Sequence, residues 1–158
     1  MKKEDKQQFT LRITQANSTE LIVILYEMLL CYLEDGKGAL AVRDENAFFE
    51  AQRHARGCLN ELLNSLHPQY EPAPALQKLY LFCIRRLALA EWRKDSALLE
   101  EIEGVIRPLR DAYEQVAAQN NAGPVMNNSQ TVYAGLTYGR NSLTENMADQ
   151  GANRGMLA

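Results

Sequence analysis

The stretch Leu21–Leu33, LIVILYEMLLCYL, runs for thirteen residues with Glu27 as its only charge. A helix at the surface of a soluble domain normally shows one apolar stripe and one polar face. This one is apolar on every side. It therefore needs cover from more than one direction, which excludes any fold that leaves it packed on a single neighbour. It is also too short to cross a bilayer, which takes about 20 apolar residues.

The residues around it predict how the helix begins and how far it goes. Asn17 can accept from the backbone N–H three residues on, where Glu20 reaches back, the reciprocal arrangement of a capping box. Gly36 and Gly38 each weaken a helix by about 1 kcal/mol. Leu40 and Ala41 resume the apolar pattern, so the helix is expected to reach about Val42.

Three more helices follow. Asp44 caps the second, whose set Phe48, Ala51, Ala55, Cys58, Leu59, Leu62 and Leu66 steps by three and four. Glu50, Arg53, Arg56, Asn60 and Asn64 fall on its outer side. The loop HPQYEPAP ends it, because its three prolines forbid continuation. Pro74 fits the first turn of the third helix, where a missing N–H costs nothing. There Leu76, Leu79, Tyr80, Phe82, Cys83, Ile84, Leu87, Ala90 and Trp92 cover more than one stripe. The fourth starts after Asp95 and repeats Leu98, Ile102, Val105, Leu109, Ala112 and Val116. Pro108 inside it is expected to kink it near Gly104.

Strand signals are nearly absent and the connections are short, so the expected fold is all-α, an antiparallel up-down-up-down four-helix bundle. The bundle occupies residues 1–119, with residues 1–16 as a flexible N-terminal arm. From residue 120 to 158 the chain turns rich in Asn and Gly, with two charges of each sign and no sustained period. It is expected to be a tail of low order.

Charge and cysteine usage narrow the function. The net charge is −3 and the 17 Lys and Arg are scattered, which argues against a nucleic-acid stripe or a basic membrane-binding face. MKKEDKQQF is followed by no apolar h-region before Leu21, so a secretory signal is not expected. Three widely spaced cysteines read as reduced core residues in a cytosolic protein.

Catalytic chemistry is hard to place. His54 and Cys58 share a helix face at metal-ligand spacing, but no second pair completes a shell. Glu50 and His54 lack the Glu-x-x-His spacing of a carboxylate di-iron bundle. Glu100, Glu101 and Glu103 read as a solvated charge run. There is no phosphate-cradling Gly-rich loop and no nucleophile elbow. Hence no enzyme activity, metal or cofactor is expected. Arg85 and Arg86 either flank a groove and hold a partner's carboxylate or carbonyls, or pair with Glu20, Glu27 or Glu61.

The first and third helices thus carry surplus apolar surface, which reads as a binding surface. Its occupant can be a partner segment, a second copy of the chain, or the chain's own tail, with VYAGLTYGRNSL at 132–143 as the tail candidate. The alternative is a thicker fold in which the N-terminal arm or a short extra element covers the exposed side.

The residues resemble the flagellin export chaperones of the FliS type. ITQANSTELIVILYE is similar to that family's opening, with Ala16, Asn17, Glu20, Leu21, Ile22, Leu25, Tyr26 and Glu27 at its patterned positions. LNELLNSLHPQY is similar to the end of its second helix, LYLFCIRRLALAEWRKD to its third, and LRDAYEQV to the end of its last. The likeness covers about residues 9–117. Glu71-Pro72-Ala73-Pro74 replaces the family's Gly-Gly, Met28 replaces a glycine, and Gln8 or Phe9 stands where relatives have a groove-covering tyrosine.

The resemblance implies a cytosolic secretion chaperone in a flagellated bacterium, without enzyme activity or cofactor. It would bind the disordered C-terminal segment of flagellin, prevent early polymerisation and deliver it to the type III export gate. The groove it implies is formed by Leu21, Ile22, Leu25, Tyr26, Leu79, Tyr80, Cys83, Arg86 and Leu87, with Phe9 and Ile13 as the covering arm. No nucleic acid or membrane insertion is implied, and weak self-association of the free protein is compatible with it. The other readings are a structural bundle that dimerises through the same face and a regulator that sequesters a different protein.

Overall fold

The structure is a computed structural model and describes residues 1–126. Among the described residues it is all-helical, with five helices and no strand: α1 (Lys3–Gln15), α2 (Ser18–Ala41), α3 (Glu45–Asn64), α4 (Ala73–Arg93) and α5 (Ser96–Gln119). Met1–Val125 form one compact unit. The tail candidate at 132–143 lies outside the described residues.

The N-terminal arm is a helix, not the flexible segment expected. The Asp5 carboxylate accepts from the Lys2 N–H at 3.1 Å. Glu4 and Asp5 sit in the first turn and Arg12 in the last, the charge order that the helix dipole favours. None of its residues is fully buried. It is held along its edge, by an ion pair of Arg12 with Glu27 and by the terminal amino group on Asp35.

The apolar run of α2 is covered from several sides. The helix packs against α3, α5 and α1, burying Val23, Ile24, Tyr26, Leu29, Leu30, Tyr32 and Leu33. The expected capping box is in place: Asn17 Oδ1 accepts from the Glu20 N–H and the Glu20 carboxylate from the Asn17 N–H, both at 2.9 Å. Gly36 is more than a tolerated weakness. A Cβ there would stand 3.3 Å from Leu99 Cδ1 and 3.8 Å from Ala51 Cβ. The glycine is what lets α2, α3 and α5 meet this closely.

Asp44 caps α3 as expected, accepting from the Ala47 N–H at 3.0 Å. The helix stops at Asn64, and Leu66 lies past its end, half-buried. In α4 the fully buried side chains are Ala73, Leu76, Tyr80, Cys83, Leu87 and Ala90, a single stripe where more was expected. Leu79, Phe82 and Ile84 are only half-buried, and Trp92 is 81% exposed. Lys94, in the left-handed region with φ 54°, turns the chain into α5 and lays its ammonium 3.7 Å from the centre of the Phe49 ring.

Asp95 caps α5, accepting from the Ala97 N–H at 3.0 Å. The helix is continuous from Ser96 to Gln119, through Pro108. Its buried face includes Leu99, Ile106 and Glu103, none of which the spacing singled out as core. Glu103 is paired with Lys37 Nζ at 2.8 Å, and the same ammonium reaches Glu34 at 2.9 Å. Arg86 pairs with Glu101 on α5 at 2.9 Å and lies over the Phe82 ring, not with Glu20, Glu27 or Glu61. None of the described helices is long and apolar enough to cross a membrane.

Candidate functional site

The first turns of α2 leave part of their apolar surface without a helical neighbour. Leu21, Ile22 and Leu25 form one wall of a half-open cleft of about 620 Å³. Ile13 near the end of α1 joins them, and Tyr113 and Val116 of α5 stand opposite. Tyr80, Glu61 and the loop residues Leu66, His67 and Tyr70 also line it, with Val125 at its edge. The wall is apolar because the α2 run is apolar all round.

Beneath the cleft the polar atoms are tyrosine hydroxyls. Tyr26 and Tyr80 hydrogen-bond through their hydroxyls. The Tyr113 ring meets Tyr26 edge-on at a centroid distance of 5.6 Å. Burial, then the Tyr80 hydroxyl, pushes the Tyr26 phenol well above its ordinary range. Burial and Tyr70 do the same to Tyr113. These hydroxyls are neutral at any physiological pH. Those of Tyr26 and Tyr80 are buried and satisfy each other.

The structure gathers some of the expected groove residues and separates others. Leu21, Ile22, Leu25 and Tyr80 line the cleft, as does Ile13 of the arm. Tyr26 is 0% exposed and lies under Tyr80. Cys83 and Leu87 belong to the closed core, because the stripe that seats α4 on its neighbours runs through them. Leu79 is half-buried and outside the lining. Arg86 is engaged with Glu101. Phe9 faces a separate recess, with Glu27 and Leu30 of α2. Its ring lies under the Arg12 guanidinium at 5.7 Å.

Tyr70, Leu66, Tyr113 and Val116 also line the cleft, and the sequence placed none of them in the groove. Tyr113 stands in LRDAYEQV and breaks the apolar repeat of α5 by one position, which was its only signal. Tyr70 sits in a proline-rich loop, where spacing carries no information.

Two of the three thiols are buried. Burial pushes Cys58 and Cys83 up to about 12, so neither supplies the thiolate that nucleophilic or metal chemistry needs. His54 stacks on Tyr32 with centroids 4.9 Å apart. Among the described residues no group of three or more His, Cys, Asp or Glu side chains is arranged around a metal position. What the cleft offers is mainly apolar surface, edged by hydroxyl groups and by the Glu61 carboxylate and the His67 imidazole.

A family model described as flagellar protein FliS matches residues 1–120. The chain is also 27% identical over 103 residues to the flagellar secretion chaperone FliS of Bacillus subtilis (strain 168). That match spans 65% of this chain and 77% of the relative.

Proposed function

Because the chain belongs to the flagellar protein FliS family, we propose that it is a flagellar secretion chaperone that binds flagellin through the cleft at the start of α2. It acts in the cytosol without turnover or cofactor. It holds the C-terminal segment of newly made flagellin in a form that cannot polymerise and hands it to the type III export gate.

The observation that carries this reading is the cleft itself, an open apolar wall of Leu21, Ile22 and Leu25 beside tyrosine hydroxyls. A client segment that is disordered alone must bury enough apolar surface to offset its own ordering. Segments of this kind bury on the order of 1,000–3,000 Å². The cleft accounts for one anchor of such a contact, and the adjoining faces of α4 and α5 supply the rest.

The arrangement of α2 to α5 is an antiparallel up-down-up-down bundle. Its support is the short links at Val42–Asp44 and Lys94–Asp95, which force neighbouring helices to reverse. This puts the first turns of α2 and the last turns of α3 and α5 at one end, where the cleft is.

Calorimetric titration with a synthetic flagellin C-terminal peptide tests the proposal, with Leu21→Glu as the probing variant. Leu21 is only half-buried, so a charge there is tolerated by the fold and opposed by an apolar ligand. Binding lost with helical circular dichroism retained is the expected result. Undiminished binding would place the client elsewhere.

A further inference from the structure

After α5 the chain does not leave the bundle. Residues 120–125 turn back across the junction of α1 and α2 and are hydrogen-bonded there at several points. The Asn120 side chain donates to Thr19 Oγ1 at 2.8 Å. Its Oδ1 accepts from the Ala122 N–H at 3.0 Å, which fixes the turn. Asn17 Nδ2 faces the carbonyls of Asn120 and Ala122 at 3.4 and 3.5 Å. The Val125 N–H donates to the Ala16 carbonyl at 3.0 Å, and Val125 becomes part of the cleft lining. Pro124, with φ held near −65°, keeps the last step extended.

Two groups of the bundle make these backbone contacts, and both are well buried. Ala16 is 2% and Asn17 4% exposed. Asn17 works in two directions, since its Oδ1 caps α2 through the Glu20 N–H while its Nδ2 is turned to the strap. An amide donor and a carbonyl acceptor set side by side, next to an apolar wall, read an extended peptide backbone without regard to its side chains.

We propose that Ala16 and Asn17 form a backbone clamp for the client, and that residues 120–125 occupy this clamp in the free chaperone and are displaced when the client arrives. The partner it fits is an extended, uncharged stretch of peptide. Its N–H takes the place of that of Val125, and its apolar side chain enters the cleft past the edge where Val125, 55% exposed, now stands. Being tethered a few residues from the end of α5, the strap has a high effective concentration, so contacts this few keep it in place. A weak resident of this kind lowers the exposure of an apolar cleft while it waits for its client. The clamp rests on the chaperone reading above, whereas the coverage of the cleft by the strap stands on the contacts alone.

Two variants of the full chain test it. Val125→Pro removes the N–H given to Ala16 and leaves the bundle intact. Asn17→Asp keeps an N-cap of equal quality but replaces the Nδ2 donor with a carboxylate oxygen that repels carbonyls. Binding of the dye ANS reports access to the apolar cleft, and titration with a flagellin C-terminal peptide reports the clamp.

Val125→Pro should bind more dye than the parent chain and hold the peptide about tenfold more tightly, the factor removed when a strap closed ten times in eleven is released. Asn17→Asp should also bind more dye, yet hold the peptide at least tenfold more weakly than Val125→Pro. Unchanged dye binding in Val125→Pro would overturn the strap. Equal peptide affinity in the two variants, with raised dye binding, would overturn the clamp and leave the chaperone role standing. Peptide bound by none of the three proteins would overturn the chaperone role and the clamp together, while the dye still decides whether the strap covers the cleft.

Discussion

Tyr26 on α2 and Tyr80 on α4 share a hydroxyl–hydroxyl hydrogen bond beneath the cleft, with ring centroids 6.3 Å apart. Each hydroxyl is the other's partner in a region closed to bulk water. The pair therefore ties the cleft wall to the core, and removing one hydroxyl orphans the other. Tyr26→Phe and Tyr80→Phe should each cost about 1–3 kcal/mol, while the double variant should cost less than the sum. Urea denaturation of the four proteins measures this, and additive losses would show that the two hydroxyls do not depend on each other. Tyr26→Asp, by contrast, buries a charge and is expected to unfold the protein.

The two glycines Gly36 and Gly104 should respond in opposite ways to alanine. At Gly104 an added Cβ meets nothing within 4 Å, so Gly104→Ala should stabilise by up to about 1 kcal/mol through helix propensity. At Gly36 the Cβ would press Leu99 at 3.3 Å, and the propensity gain is spent on moving that side chain. Thermal melting of both variants checks the contrast. An equal gain at both sites would mean that the approach of α2 to α5 has slack.

Pro108→Ala should raise stability as well. The proline lies exposed in the middle of a continuous helix, so its missing N–H leaves the Gly104 carbonyl without its helical donor. Alanine restores that bond, worth up to the roughly 3 kcal/mol interior penalty of proline. A neutral or destabilising result in a melting experiment would mean that the proline sets the course of α5 toward the cleft.

Alkaline pH should destabilise the fold from about pH 9 upward. Burial pushes the Cys58 and Cys83 thiols up to about 12, from an ordinary 9.0. The folded protein keeps these protons where the unfolded chain gives them up. Their contribution is whole below pH 9 and is lost as the pH rises toward 12, at about 1.4 kcal/mol per pH unit for each thiol. The raised phenols of Tyr26, Tyr80 and Tyr113 act in the same sense above their ordinary 10.0. Under reducing conditions the double variant Cys58→Ala, Cys83→Ala should start less stable, because of the cavities, but fall less steeply above pH 9. Identical slopes would show that the thiols are not the groups titrating.

Much of this molecule was legible before any coordinates. Local chemistry determined the helix starts, because a cap is decided by two or three adjacent residues: Asn17 with Glu20, Asp44 and Asp95 all cap as their sequence context implies. Period determined the stripe of α3, but of the buried face of α5 it gave only Leu98 and Ile102. The order of short motifs was enough to indicate the family.

Tertiary structure decided the rest, because it depends on groups far apart in the chain. The apolar surplus of α4 proved to be a single buried stripe with half-buried flanks, since neighbours on two sides define what is inside. That placed Cys83 and Leu87 in the core and left Leu21, Ile22 and Leu25 at the cleft. The arm is a helix laid against α2, with Glu27 and Asp35 as its partners there. Periodicity counts an apolar residue without knowing which neighbour it meets, and Asn17 shows the limit most clearly. Its role as a cap is written three residues away, at Glu20. Its contact with the strap depends on Asn120 and Ala122, which only the folded chain brings to it.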